Sequence, residues 1–76
     1  MISSLNSGCQ EKIADSKADI EAARLLLLSC AAAIDTHGAR KVRDQIALVK
    51  VVVPELAFKV IDRAIQVRYL LSINHM

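Results

Sequence analysis

The stretch KVVVPELAFKVIDRAIQ, residues 50–66, decides the fold. Val53, Leu56, Val60, Arg63 and Val67 recur at alternating steps of four and three, and the series reaches back through Val49 and Ile46 to Val42. Residues three and four apart share one side of a helix, so this spacing predicts a long helix with a single apolar stripe. Arg63 is the only polar member of the series. Pro54 falls in its middle, and an interior proline removes one backbone hydrogen bond and crowds the preceding turn. A kink or a short break is therefore expected there. The β-branched run Val51–Val53 leaves a buried strand over residues 46–53 as the alternative. The stripe continues in phase across Pro54, which a change from strand to helix does not require.

Upstream, Ile13, Ile20, Leu27 and Ile34 recur every seven residues, and Ser16, Ala23 and Cys30 each follow three positions after one of the first three. Large residues alternating with small ones describe a helical seam that a second helix can approach closely. Ser7 with Gln10 fits a capping box, which places the start of this helix near Ser7. Gly38 is the expected stop, because glycine readily takes the left-handed conformation that ends many helices. The expectation is an all-α chain: two long antiparallel helices, about 8–36 and 40–70, the second kinked near Pro54. Residues 1–76 then make a single partial domain with a divergent tail over 68–76, a helical hairpin that completes a bundle by oligomerisation.

Composition agrees with helices. Seventy-six residues hold 54% hydrophobic but only 3% aromatic side chains, with two glycines and one proline to make turns. A sheet favours aromatic and β-branched residues and needs more turn material. The formal charge of +2 is too small to imply a nucleic-acid or membrane partner. Residues 25–34, LLLLSCAAAI, are bracketed by Arg24 and Asp35 and are about half the length of a membrane span. The amino-terminal segment lacks the basic and apolar regions of a secretory signal. Cys9 and Cys30 lie twenty-one positions apart with no metal-ligand spacing. They read as thiols of an intracellular protein more readily than as a disulfide.

One stripe on each helix would suffice for a hairpin, yet Leu25, Leu28, Leu48, Val52, Phe58, Ile61 and Ile65 lie off both stripes. Leaving seven such side chains in water forgoes roughly 10–20 kcal/mol as an upper estimate, comparable to the whole stability of a domain. The chain is expected to self-associate or to dock on a larger body.

The order of motifs also resembles a known family. QEKIADSKADIEAARLLLL (10–28), with ARLL at 23–26, the VVVP run at 51–54 and IDRAIQ at 61–66 resemble the C-terminal helical domain of the flavin-dependent acyl-CoA dehydrogenases. The likeness is strongest to the branch whose larger members carry an extra kinase-like domain, and it covers about three quarters of the chain, Gln10 to about Val67. That resemblance implies FAD as the parent cofactor and an oxidation of the Cα–Cβ bond of an acyl-CoA thioester. A glutamate takes the α-proton and the flavin takes a β-hydride. It also implies a homo-oligomer or docking on a larger dehydrogenase, in mitochondria if the source is eukaryotic and in the cytoplasm if bacterial. Gln66, matching the glutamine of the family's AIQ motif, becomes the candidate contact to the FAD diphosphate of a neighbouring subunit. Without the resemblance, Gln66 is a solvent-exposed helix residue.

The family's glycine pair after that glutamine falls on Tyr69 and Leu70. Each brings a Cβ where a close approach of backbone to phosphate needs glycine. The segment that carries the family's catalytic glutamate lies beyond the matched stretch. These residues alone are therefore expected to bind no FAD and to be inactive, with no catalytic and no metal site, and RYLLSINHM (68–76) reads as a substituted ending. The alternative function is a free-standing helical self-association module or a modulator of a full-length dehydrogenase.

Other polar residues have plain explanations. Asp35 and His37 beside Gly38 read as a helix-terminal loop, and His75 offers no metal-ligand spacing with His37. Arg24 and Arg63 each interrupt an apolar run, with Asp62, Asp44 and Glu21 as candidate partners and snorkelling to the surface as the alternative. Arg40, Lys41 and Arg43 form a basic cluster in which Arg40 is spaced to pair with Asp44, as Glu55 is with Lys59.

Overall fold

The computed structural model describes the backbone of residues 2–74 and the side chains of residues 7–73. His75 lies outside the described residues. Two helices account for nearly all of the chain: α1, Ile2–His37, and α2, Arg43–Asn74, packed against each other as a hairpin with no strand among the described residues. The strand alternative over residues 46–53 is thereby replaced by helix.

Helix α1 does not begin at Ser7, which lies inside it. A capping box needs a non-helical backbone at its serine. The Ser and Asn residues just upstream cost at most about 0.7 kcal/mol each relative to alanine, too little to halt a helix that is already propagating. The other end follows expectation. Gly38 has φ of 82° and donates its N–H to the Ile34 carbonyl at 2.7 Å, closing the left-handed cap. Thr36 Oγ1 donates to the Ala32 carbonyl at 2.9 Å in the same last turn. No atom lies within 4 Å of a Cβ built on Gly38, so only backbone strain opposes a side chain there. Gly38→Ala is expected to cost about 1 kcal/mol, read as a fall of about 4–8 °C in the thermal midpoint followed by circular dichroism.

Helix α2 runs without interruption through Pro54, so no break occurs there. Pro54 is exposed, on the side of α2 turned away from α1, so the Lys50 carbonyl that it leaves without a partner can be hydrated. Asp44 in the first turn of α2 complements the positive end of the helix dipole beside the cationic Arg43. Arg40 lies in the turn before α2, so it does not stand one helical turn from Asp44, and no Arg40–Asp44 or Glu55–Lys59 ion pair forms.

The interface divides the residues by size. All eight positions of the α2 stripe, Val42 to Val67, are half-buried, as the spacing predicts. On α1 the side turned to α2 carries mostly the smaller set: Ser16, Asp19, Ala23 and Ala33 are half-buried, Cys30 is buried, and of the larger residues Lys12, Leu26 and Ile34 are half-buried with them. The large residues Ile13, Ile20 and Leu27 stand beside this seam and stay about half exposed, at 49%, 54% and 48%. The sequence placed large and small residues in one seam. They are adjacent sides of α1, and the closer approach is made over the small one.

The result is a long, thin body measuring 55 × 15 × 12 Å. Its radius of gyration is 17.2 Å, against about 11 Å for a compact chain of this length. Its accessible surface is 6034 Å², about 1,400 Å² more than the about 4,600 Å² typical of a folded monomer of this mass. Among the described residues only Cys9 and Cys30 are buried, and both thiols are free. On one continuous helix they stand about 31 Å apart, far beyond disulfide reach.

Candidate functional site: an apolar surface and a cofactor edge

Two polar links fix how the helices face each other. Near the turn, Gln45 Nε2 donates to Ser29 Oγ at 3.3 Å. Towards the other end, the Arg63 guanidinium donates to the Asp19 carboxylate, and both side chains are about three quarters shielded from water. Asp19 was not among the partners expected for Arg63. Its signal was nonetheless present: Asp19 and Arg63 are opposite charges that each interrupt a facing stripe. A turn centred near residue 40 folds residue 63 back to within about two positions of residue 19.

Arg24 behaves differently. It reaches Glu21 in the preceding turn through two contacts, Nη2 to Oε1 at 2.7 Å and Nε to Oε2 at 3.1 Å, with both side chains more than half exposed. The hydrogen bond from Arg24 holds the Glu21 carboxyl below its ordinary range, and its counterpart raises the Arg24 guanidinium. A depressed carboxyl stabilises the helix above the unfolded-state value, and that contribution fades as pH falls through the folded one. Arg24→Gln is expected to return the Glu21 titration towards the ordinary range, read by carboxyl-carbon NMR.

Beside the α1–α2 seam runs an apolar groove in two connected parts that share Ile20 and Val60. One part, about 450 Å³, lies towards Leu71 and is floored by Ile13, Val67 and Ala64. The other, about 480 Å³, lies towards the turn and is floored by Ala23, Leu27, Val53 and Ala57. The outer side of α2 is apolar as well, with Phe58 73% and Ile65 63% exposed, and Ile61, 55% exposed, lies between it and the groove that it helps to line. Leu25, Leu28 and Leu48 are also exposed, as the off-stripe reading expected, whereas Val52 is half-buried against the seam.

Gln66 lies on α2 eight residues before its last residue, so it is not at a helix end. It is exposed, and its Nε2 donates to Asp62 Oδ2 at 3.0 Å. Helix α2 continues unbroken past Tyr69 and Leu70, with Tyr69 66% exposed and Leu70 half-buried in line with the stripe. One amide beside a carboxylate, on a continuous helix without glycine, does not form a cradle for a diphosphate. The described residues also gather no cluster of three His, Cys, Asp or Glu side chains able to hold a metal ion. Among them, no helix is long and apolar enough to cross a membrane.

Comparison with known proteins supplies what this geometry leaves open. Residues 5–68 match the family profile described as acyl-CoA dehydrogenase, C-terminal domain. The chain belongs to the acyl-CoA dehydrogenase family. It is 56% identical over 55 residues to acyl-CoA dehydrogenase family member 11 of Gallus gallus, covering 72% of this chain and 7% of that protein. It is 48% identical over 58 residues to the probable acyl-CoA dehydrogenase FadE2 of Mycobacterium tuberculosis, covering 76% of this chain and 14% of that protein. It is 50% identical over 54 residues to acyl-CoA dehydrogenase family member 10 of Mus musculus, covering 71% and 5% respectively. The chain thus spans a small part of the relatives it matches, the part that corresponds to the C-terminal domain. No solved structure is similar enough to count as a match. Acyl-CoA dehydrogenases are in general FAD-dependent and oligomeric. The family match ends at Arg68, while α2 extends to Asn74.

Proposed function

We propose that these residues are a scaffold of an acyl-CoA dehydrogenase-like flavoprotein: a helical hairpin that joins subunits or domains and forms one wall beside the cofactor. The observation that carries this is the exposed apolar surface, with Phe58 and Ile65 on one side of α2 and the groove, which Ile61 helps to line, on another. A body in which only two of the described residues are buried gains most of its stability by covering such surface. In this reading Gln66 offers an amide at that wall, as the family resemblance implies. The remaining donors for a flavin diphosphate come from other elements, because Asp62 beside Gln66 repels a phosphate. The hairpin then has no dehydrogenase turnover of its own, and its compartment is that of the parent enzyme, mitochondrial in a eukaryote and cytoplasmic in a bacterium.

The test combines assembly and flavin on one sample. The purified chain is expected to carry no flavin absorbance. The double variant Phe58→Lys, Ile65→Lys is expected to weaken self-association at least tenfold in sedimentation equilibrium, since each lysine removes roughly 1.5–3 kcal/mol of potential apolar burial. Bound flavin, or assembly indifferent to both lysines, contradicts the scaffold role as drawn.

A further inference from the structure

The groove and the outer side of α2 differ in charge, and the difference selects a partner. At the end of the groove near Leu71, the lining includes Lys12, Lys17, Arg63 and Arg68 and no carboxylate. Arg63 is already paired with Asp19, which leaves Lys12, Lys17 and Arg68 around an apolar floor. At the other end, the charges on the lining are Asp19, committed to Arg63, and Arg24, committed to Glu21. The groove therefore has a net positive rim at one end and near-neutral walls elsewhere. Two copies joined through this groove about a two-fold axis would bring the uncompensated cations no carboxylate from the opposing rim. The outer side of α2, where Glu55 and Asp62 accompany Phe58 and Ile65, has no such bias.

The shape favours a helix as occupant. The floor follows α1 from Lys12 to Leu27, about 22 Å or four helical turns. Small residues along the floor, Ser16 and Ala23 from α1 with Ala57 and Ala64 from α2, let a third backbone come close. The chain's excess surface of about 1,400 Å² exceeds the about 800 Å² that one partner contributes to a standard interface.

We infer that the groove between α1 and α2 receives an amphipathic helix that carries carboxylates in the turns lying against Lys12, Lys17 and Arg68, and that it is not the surface on which two copies of the chain meet. The inference rests on the reading of the hairpin as a docking scaffold and adds which face docks and the charge of its partner. The carboxylates contribute selectivity over a burial that is mainly apolar.

The experiment uses the full chain and two synthetic three-heptad peptides with the same leucine stripe, one flanked at one end by glutamates and the other by lysines. Binding is read by fluorescence anisotropy. The glutamate peptide is expected to bind about tenfold more tightly at low salt, a preference that shrinks as salt rises. The variant Lys12→Glu, Lys17→Glu, Arg68→Glu is expected to reverse the preference. The corresponding glutamine variant should abolish it without reversing it, with helicity checked by circular dichroism. Equal binding of both peptides overturns the charge assignment while leaving the docking reading intact. A folded monomer that binds neither peptide overturns both. If Ala64→Arg dissociates a self-assembled chain, the second copy occupies the groove and the inference fails.

Discussion

Cys30→Asp is expected to lower the stability of the hairpin by about 3 kcal/mol or more at neutral pH, enough to melt most of the helical signal of so thin a body. Cys30 is only 6% exposed and faces α2 from the small-residue side of α1. No cation is hydrogen-bonded or paired there; Arg63 is held by Asp19 and Arg24 by Glu21. A carboxylate at that position loses its water without gaining a partner, so its folded-state titration rises above the ordinary range. The sign follows from linkage: the variant is least impaired below the ordinary carboxylate range and loses stability as pH rises through the raised value. Cys30→Ala, which removes one sulfur atom and no polar contact, is expected to cost no more than about 1–2 kcal/mol. Denaturant melts of both variants at acidic and neutral pH check the size and the direction. Equal melts for the two would mean that the α1–α2 seam does not shield Cys30.

The second large effect concerns the ion pair across the hairpin. Asp19→Arg is expected to destabilise by about 2–4 kcal/mol, because two guanidinium groups then meet in a site that is mostly shielded from water. Arg63→Asp alone is expected to cost a similar amount. The double variant, with the charges exchanged, should recover at least half of the summed loss, read as a coupling energy in a double-mutant cycle. Purely additive losses would show that the contact does not set the register of the two helices. Replacing both residues with leucine separates stability from specificity. It is expected to hold the melting point or raise it while weakening the preference for a single alignment, because two half-buried charges cost desolvation that an apolar pair does not.

Much of this architecture was legible in the amino-acid sequence, and the reason is the length of the repeats. The Val42-to-Val67 stripe gives eight positions in phase, and all eight proved half-buried. A series that long outweighs the local β preference of Val51–Val53 and the single lost hydrogen bond at Pro54. Gly38 was legible for a different reason: its left-handed φ of 82° is a conformation with a strong residue preference. The start of α1 was less legible, because Ser7 and Gln10 satisfy a cap motif that the upstream residues then extend through. Capping residues mark places where a helix can begin, not places where it must. The side that α1 turns to α2 was only half legible. Ile13 and Ser16 lie on neighbouring sides of the helix, and their spacing alone does not say which of the two sides is nearer to α2.

The site was less legible than the fold. Resemblance points to Gln66, but a side chain's role at a cofactor depends on elements that a hairpin does not contain, and its amide is engaged with Asp62. The Asp19–Arg63 pair needed the hairpin alignment before its two halves could be matched. The cationic end of the groove was also missed. Lys12 and Lys17 are far from Arg68 in the sequence and become its neighbours only when α2 folds back along α1.

The central claim is that this hairpin works with its apolar surface covered. Sedimentation equilibrium of the unmodified chain at micromolar concentration tests it most directly. The expected mass is a multiple of 8.3 kDa, with helicity falling on dilution below the association midpoint. A single species of 8.3 kDa that keeps its helical signal on dilution would contradict the account.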